Sequence, residues 1–364
     1  MCYPRNKFQN VIFESFKGGI LNSKYYVASS PHIRNDVSTK KIMWNVVLAL
    51  IPALVGATYF FGFRALWLTI LGVLSAVITE ALVEKLSGKK ITIDDGSAVI
   101  TGILLTFNIP PGVSWWIPVV GAAFAILFGK MIFGGLGNNI VNPALLGRAF
   151  LMASWPVQMT TRWLAPRGGS IPGISTNIDA ITGATPLGVL KVFVGKTLAN
   201  PSATPQQLTQ AKHILAQLYS HWTNLFFGNV GGVIGETSAV LLLVGYIYLL
   251  IRGFVSWRIP LSYIGTALVL GWIFGSPDGL FKMNVLFYIF SGGLMLGALF
   301  MATDMVTSPI TPKGRWIFGI GCGILTVIIR RWGGYPEGVS YSILLMNLAV
   351  PIINRHTVPK KFGA

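Results

Sequence analysis

Apolar residues in this chain come in long, nearly unbroken runs separated by short polar stretches, where a soluble helix would show them at every third or fourth position. Runs over 42–61 and 65–83 each approach the roughly 20 residues that a helix needs to cross a bilayer. A third, 96–109, is short, bounded by Asp94-Asp95 and Pro110-Pro111, and is expected to be tilted, broken or re-entrant. Such backbone is tolerated where protein or water covers it. Runs over 115–133 and 140–155 complete a first group of five, the fifth opening on Asn142-Pro143. A polar loop, 156–235, then interrupts the pattern. Within it 206–222 reads as a small amphipathic helix at the membrane surface, and Gly231-Gly232 as a turn. A second group follows at 237–251, 259–274, 285–302, 316–329 and 339–353. The pattern predicts an all-α polytopic membrane protein of about ten transmembrane helices. Its segments are a basic stretch 1–41, a five-helix unit 42–155, the loop 156–235, a second five-helix unit 236–353 and a tail 354–364.

The two groups resemble one another. Pro110-Pro111-Gly112, Trp116-Ile117, Gly121, Gly134-Gly135, Ile140 and Leu145-Leu146 are matched, at an offset of about 200 residues, by Thr311-Pro312-Lys313-Gly314, Trp316-Ile317, Gly321, Gly333-Gly334, Val339 and Leu344-Leu345. Units with an odd number of spans sit in opposite orientations, so the expectation is an inverted repeat of the transporter kind. A five-plus-five plan of this sort is urea-transporter-like.

Composition agrees: 53% of the 364 residues are hydrophobic and only 11% are charged, against about a quarter in a soluble domain. The net charge of +17 would suggest nucleic acid in a soluble protein, but in a membrane protein cations gather in cytoplasmic flanks, so no nucleic-acid partner is expected. With spans alternating, the side of the amino terminus holds 18 Lys and Arg and the other side 9, with Arg148 left inside a span. Both termini are therefore expected in the cytoplasm and the 156–235 loop outside it. Cys2 and Cys322 form no Cys-x-x-Cys, and His32, His213, His221 and His356 fall outside the spans, so neither a metal centre nor a haem pair is expected. Arg5, Lys7 and Lys17 without an early apolar run do not read as a cleaved signal peptide.

The loop carries Asp179-Ala180-Ile181-Thr182-Gly183-Ala184-Thr185-Pro186-Leu187. Its small residues leave room for a bulky group to approach the backbone. They equally suit a surface turn that starts a helix, with Thr185 as N-cap and Pro186 at the first helical position. Residue chemistry alone favours the turn. The run Asp-x-x-Thr-Gly-Ala-Thr, however, resembles the flavinylation motif of the membrane subunits of Rnf and sodium-pumping quinone-reductase complexes. That family usually has serine where this chain has Thr182, a change that keeps the hydroxyl. The resemblance implies FMN joined through its phosphate to Thr185, with Thr182, Gly183 and Ala184 beside it and Asp179 recognised by the flavin transferase.

Two further stretches are similar to the same family: Ser30-Pro31-His32-Ile33-Arg34 with Met43, Ala49 and Pro52 at the first span, and Asn142-Pro143-Ala144-Leu145-Leu146-Gly147-Arg148 at the fifth. The similarity runs from about Ser30 to Arg355, and the compact length favours the Rnf D type over the longer quinone-reductase B type. It implies a subunit of a translocase in the cytoplasmic (inner) membrane of a prokaryote. That complex passes electrons between ferredoxin and NAD while moving Na+ or H+. The implied partners are the other Rnf subunits, of A, B, C, E and G type, above all the extracytoplasmic FMN-bearing G subunit, together with the lipid bilayer. A second, non-covalent flavin is left open. A passive channel for a small polar solute, and a scaffold that only docks partners, are the alternatives; neither needs the Thr185 motif.

Ionisable groups within a membrane are costly and mark candidate sites. Arg148, Asp304 and, near a span end, Glu80 need an explanation. Arg148 is expected to pair with a carboxylate or with carbonyls freed by Pro143, or else to contact the flavin. Asn108 and Asp304 end the corresponding third and eighth spans, where they either line a polar path for cations or cap helices. No nucleophile elbow, His–carboxylate pair or phosphate loop is present, which disfavours hydrolysis and phosphoryl transfer by this chain.

Overall fold

The computed structural model describes residues 38–164, 166, 185–236, 238–335 and 337–359; Asp179, Thr182, Gly183, Ala184 and the 30–34 motif lie outside the described residues. Helices α1 (Thr39–Phe61) and α2 (Phe63–Leu86) are joined only by Gly62, whose φ of 75° is open to a residue without a Cβ. Leu48, Ile51, Val55 and Tyr59 of α1 and Trp67, Ile70, Leu74, Ile78 and Leu82 of α2 are exposed at helical spacing. In water such stripes would be a liability; against hydrocarbon they are the solvent-facing side. α3 (Ser97–Phe107) is short, as expected, and buried at almost every position. It crosses α2 so closely that a Cβ on Gly102 would lie 2.6 Å from Val73 Cα, the close approach that small residues allow in membranes. α4 (Trp116–Met131) ends in a π-helical turn, and α5 (Pro143–Ser154) starts on Asn142, whose side chain accepts from the backbone N–H groups of Ala144 and Leu145.

The 156–235 segment is not the polar loop that its composition predicts. Its described part folds into α6 (Pro156–Thr161), α7 (186–199, its middle π-helical), α8 (Pro205–Ser220) and α9 (Trp222–Phe227). α8 is the expected amphipathic helix, and Thr204 and Gln207 close a capping box at its start. Leu187, Leu190, Val194, Ala211, Leu215, Leu218 and Leu225 make a second core with Met283, Phe287, Tyr288 and Val327. The apolar positions are spaced on helix faces rather than in runs, so they escape a reading by hydropathy alone.

The second group comprises α10 (Ala239–Ile251), α11 (Arg258–Phe274), α12 (Val285–Phe290), α13 (294–301), α14 (Pro312–Trp332) and α15 (Val339–Thr357). The run expected as one span over 285–302 is broken at Ser291-Gly292-Gly293, where Gly292 has φ 68°. Among the described residues there is no strand. α1, α2 and α14 are long and apolar enough to cross a membrane by themselves; α3, α4, α10 and α11 are shorter apolar helices. α2 packs on α4 and α4 on α5, and in the second group α11 packs on α14 and α14 on α15.

Contacts at helix ends show how the segments alternate. Lys40 pairs with Asp94 (2.8 Å) at the start of α1 and before α3. At the other ends, Arg64 donates to the carbonyls of Pro111 and Val113 (both 2.9 Å), and Gly112 N–H donates to Arg162 O (3.0 Å). The groups meet where α1 crosses α10 and α5 meets α15. There a Cβ on Gly245 would collide with Ala49 O, and Tyr248 Oη donates to Asn45 Oδ1 (2.5 Å).

A candidate functional site between the helical cap and the seam of the two groups

Thr185 is the N-cap of α7: its Oγ1 accepts from Gly188 N–H (3.1 Å) and its carbonyl accepts from Val189 N–H (2.9 Å). The turn-and-helix-start reading of this residue therefore holds. Thr185 is also 6% exposed and lines a cavity of about 950 Å3 that Arg148 of α5 lines as well. The two sequence-predicted site residues thus share one enclosure. Its wall also holds Trp163, His213, Tyr335, Glu337 and Tyr341, with the Tyr335 and Tyr341 rings stacked at 5.4 Å. No local sequence signal marks these five: His213 lies on the cap's amphipathic helix, and Tyr335 and Glu337 sit in an ordinary-looking turn between α14 and α15.

Arg148 stands two turns into α5, 5% exposed. Its Nη1 donates to Asn108 Oδ1 and Ser340 Oγ (both 2.8 Å), and its Nη2 is ion-paired with Glu337. Of the expected partners the structure supplies the carboxylate, and from the far group. A planar guanidinium presents several donors in fixed directions, which lets one side chain tie together the end of α3 and the start of α15. Glu236, just before α10, and Arg330 of α14 add to this charge cluster. Arg330 donates to the carbonyls of Tyr288 (3.0 Å) and Ser291 (2.9 Å), which the break in the eighth run frees. Burial, with the charge of Glu337 beside it, pushes Glu236 well above the usual carboxyl range, and Arg148 and Arg330 pull it back. Glu236 Oε1 is enclosed without a hydrogen-bond partner, and a Cβ on Gly293 would lie 2.7 Å from it.

Asn108 is fully engaged: Nδ2 donates to Leu104 O (2.7 Å) and faces Met301 Sδ (3.4 Å). Asn142 Nδ2 in turn donates to Met301 O (3.3 Å) and lines a smaller cavity, about 80 Å3, with Lys130, Ser97 and Asp304. A chain of polar contacts therefore leads from the large cavity through Arg148, Asn108, Met301 and Asn142 to the small one. Asp304 accepts from Thr307 Oγ1 (2.9 Å), and burial holds its carboxyl above the ordinary value. Glu80 finds its explanation here too: it pairs with Lys130 (2.5 Å), which also donates to Ser97 Oγ (2.5 Å). Lys130 is 2% exposed and Arg330 6%, so neither is a flanking cation of the kind the charge count assumes.

Among the described residues no His, Cys, Asp and Glu group could hold a metal ion. A model of the NQR2, RnfD, RnfE family matches residues 26–363. Three similar relatives span almost the whole chain. The D-type subunit of the proton-translocating ferredoxin:NAD(+) oxidoreductase complex of Clostridium ljungdahlii is 46% identical, over 93% of this chain and 96% of that protein. The D-type subunit of the Na(+)-translocating ferredoxin:NAD(+) oxidoreductase complex of Acetobacterium woodii is 47% identical, over 93% and 95%. The D-type subunit of the ion-translocating oxidoreductase complex of Escherichia coli (strain SMS-3-5 / SECEC) is 38% identical, over 93% and 98%.

Proposed function

The chain belongs to the NQR2, RnfD, RnfE family, and from that premise we propose that it is the D-type subunit of a redox-driven, ion-translocating ferredoxin:NAD oxidoreductase complex, with FMN esterified to Thr185 inside the large cavity. The observation that carries the cofactor assignment is the shared enclosure of Thr185 and Arg148.

The residues present fit the group. The volume of about 950 Å3 lies within the roughly 300–1,000 Å3 of small-molecule and cofactor sites. The Thr185 oxygen accepts one hydrogen bond at the cap and its O–H has no acceptor among the described residues, so esterification replaces only that hydrogen. A phosphate there stands at the N-terminal end of α7, where negative charge is favoured by about 0.3–1 kcal/mol. Trp163, Tyr335 and Tyr341 offer flat apolar surface, and Arg148 a fixed positive charge. FMN, when bound, exchanges one or two electrons with neighbouring centres. The chain's part is to hold it at fixed distance and to set the local field through Arg148 and Glu337.

The finer architecture proposed is ten spans in two inverted five-helix units, urea-transporter-like, with both termini in the cytoplasm and the cap outside it. Support comes from the alternating helix-end contacts and from the like pairings in both groups. In that orientation the cap faces the extracytoplasmic FMN-bearing subunit, and the other Rnf subunits flank the exposed helix faces. A cation path, if it passes through this subunit, runs along the polar chain past Asn108 to Asp304. Oxygen ligands at helix breaks can replace an ion's water there. A passive solute channel would need an open bore, whereas Asn108, Met301 and Asn142 close the seam between the cavities.

The test is covalent flavin itself. Protein made with its flavin transferase should show a flavin-fluorescent band on a denaturing gel, and Thr185→Val should lose it while still inserting. Fluorescence retained in the variant would move the attachment away from Thr185.

A further inference from the structure

A further pocket, about 530 Å3, lies against another face of α7, where that helix meets the ends of α11 and α14. Among the described residues four cations line it, Lys191, Lys196, Arg330 and Arg331, and no acidic side chain does. Two of the four have structural work. Lys191 Nζ donates to the carbonyl of Ile329 in the last turn of α14 (3.2 Å) and to those of Gly333 (2.5 Å) and Tyr335 (2.8 Å) just beyond it. Arg330, 6% exposed, uses its two terminal nitrogens on the carbonyls of Tyr288 and Ser291, but its Nε is enclosed without a partner. Lys196 and Arg331 are exposed and form no ion pair among the described residues. The acid next to the pocket wall, Asp278, is taken by Lys282 (3.2 Å).

The surroundings say where the pocket sits. Ile317, Ile320, Ile324 and Ile328 of α14 form an exposed stripe that ends in exposed Trp332, beside Arg331. Trp332 packs on Phe274 (5.9 Å), and Trp272 of the same α11 end on Phe281 (5.0 Å). Tryptophans at the end of apolar stripes mark the headgroup level of a bilayer. The basic pocket therefore opens at headgroup level, at the top of a hydrocarbon-facing groove.

We infer that this pocket binds the phosphate of an anionic membrane phospholipid, held by the exposed Lys196 and Arg331, with the acyl chains along the Ile324, Ile328 stripe. Guanidinium groups match phosphate oxygens, and basic pockets at helix ends attract anionic headgroups. The lipid would bridge α7 to α14. The inference does not depend on the flavin assignment.

The experiment uses the full chain, purified in mild detergent and stripped of lipid, with binding followed by native mass spectrometry. Phosphatidylglycerol should bind, phosphatidylcholine should not, and millimolar inorganic phosphate should fail to displace the lipid. The K196Q/R331Q double variant alters exposed side chains only, so it should fold as the parent does and bind phosphatidylglycerol at least about tenfold more weakly. Equal binding by parent and variant, or equal binding of the two lipids, would overturn the assignment. Displacement by inorganic phosphate would replace it with a free-anion site.

Discussion

Arg148 and Glu337, 189 residues apart, form one ion pair across the seam between the two helical groups, and the same guanidinium holds Asn108 and Ser340. Losing one partner of a buried pair strands a charge, at a cost of about 3–5 kcal/mol, whereas replacing both by apolar groups is often close to neutral. Arg148→Met and Glu337→Met should each lower the apparent melting temperature of the detergent-solubilised protein strongly. The double variant should lose much less than the sum. Additive losses would show that the two side chains do not depend on one another.

Thr185 has two separable roles, and two substitutions divide them. Thr185→Ser keeps both the cap and the esterifiable oxygen. Thr185→Val removes both, costing about 1 kcal/mol from the cap alone. Valine protein should therefore melt slightly lower than serine protein even when both are made without the flavin transferase. Identical melting curves would argue that the contact to Gly188 N–H adds nothing.

Asp304→Asn keeps the size of the side chain and removes its charge. If ions pass the small cavity, vesicles carrying the variant complex should move fewer ions per electron than parent vesicles under saturating driving force. An unchanged ratio would leave Asp304 as the anchor of the turn it makes with Thr307.

The same residue sets a pH dependence. Burial raises the Asp304 carboxyl above its ordinary 3.8, against hydrogen bonds from Thr307 and from the Val306 and Met305 backbone. The folded protein thus holds this proton more tightly than the unfolded chain. The associated stability is complete below 3.8 and is lost as the pH rises through the folded-state value. Melting temperatures taken from acid toward neutral pH should fall less for Asp304→Asn than for the parent. Parallel curves would place the titrating group elsewhere.

The side of the cap can be read by labelling. In a chain with Cys2 replaced by Ser, cysteine at exposed position 212 should react with a membrane-impermeant thiol reagent in intact cells, and cysteine at position 89 only after lysis. The reverse pattern would invert the topology.

The runs at α1, α2 and α14, the enclosed brevity of α3 and the Asn142-Pro143 start of α5 could all be read from the sequence, because hydropathy, length and capping act over neighbouring residues. So could the membership implied by the Thr185 and Arg148 motifs. What remained hidden involves residues brought together from afar. Nothing local to Glu337 announces Arg148 as its partner, and nothing local to Lys130 announces that it is buried on Glu80 rather than flanking a span. The break at Ser291-Gly292-Gly293 sits in an apolar run that hydropathy reads as continuous. The 156–235 segment looked like a loop because its apolar residues are spread over helix faces that only packing against Phe287 and Tyr288 reveals. Sequence thus determined which stretches are long and apolar enough to cross a membrane, a property of each stretch by itself. Tertiary structure alone decided which charges meet at the seam of the two groups, because satisfying a buried charge needs a partner that the fold, and not the neighbouring chain, supplies.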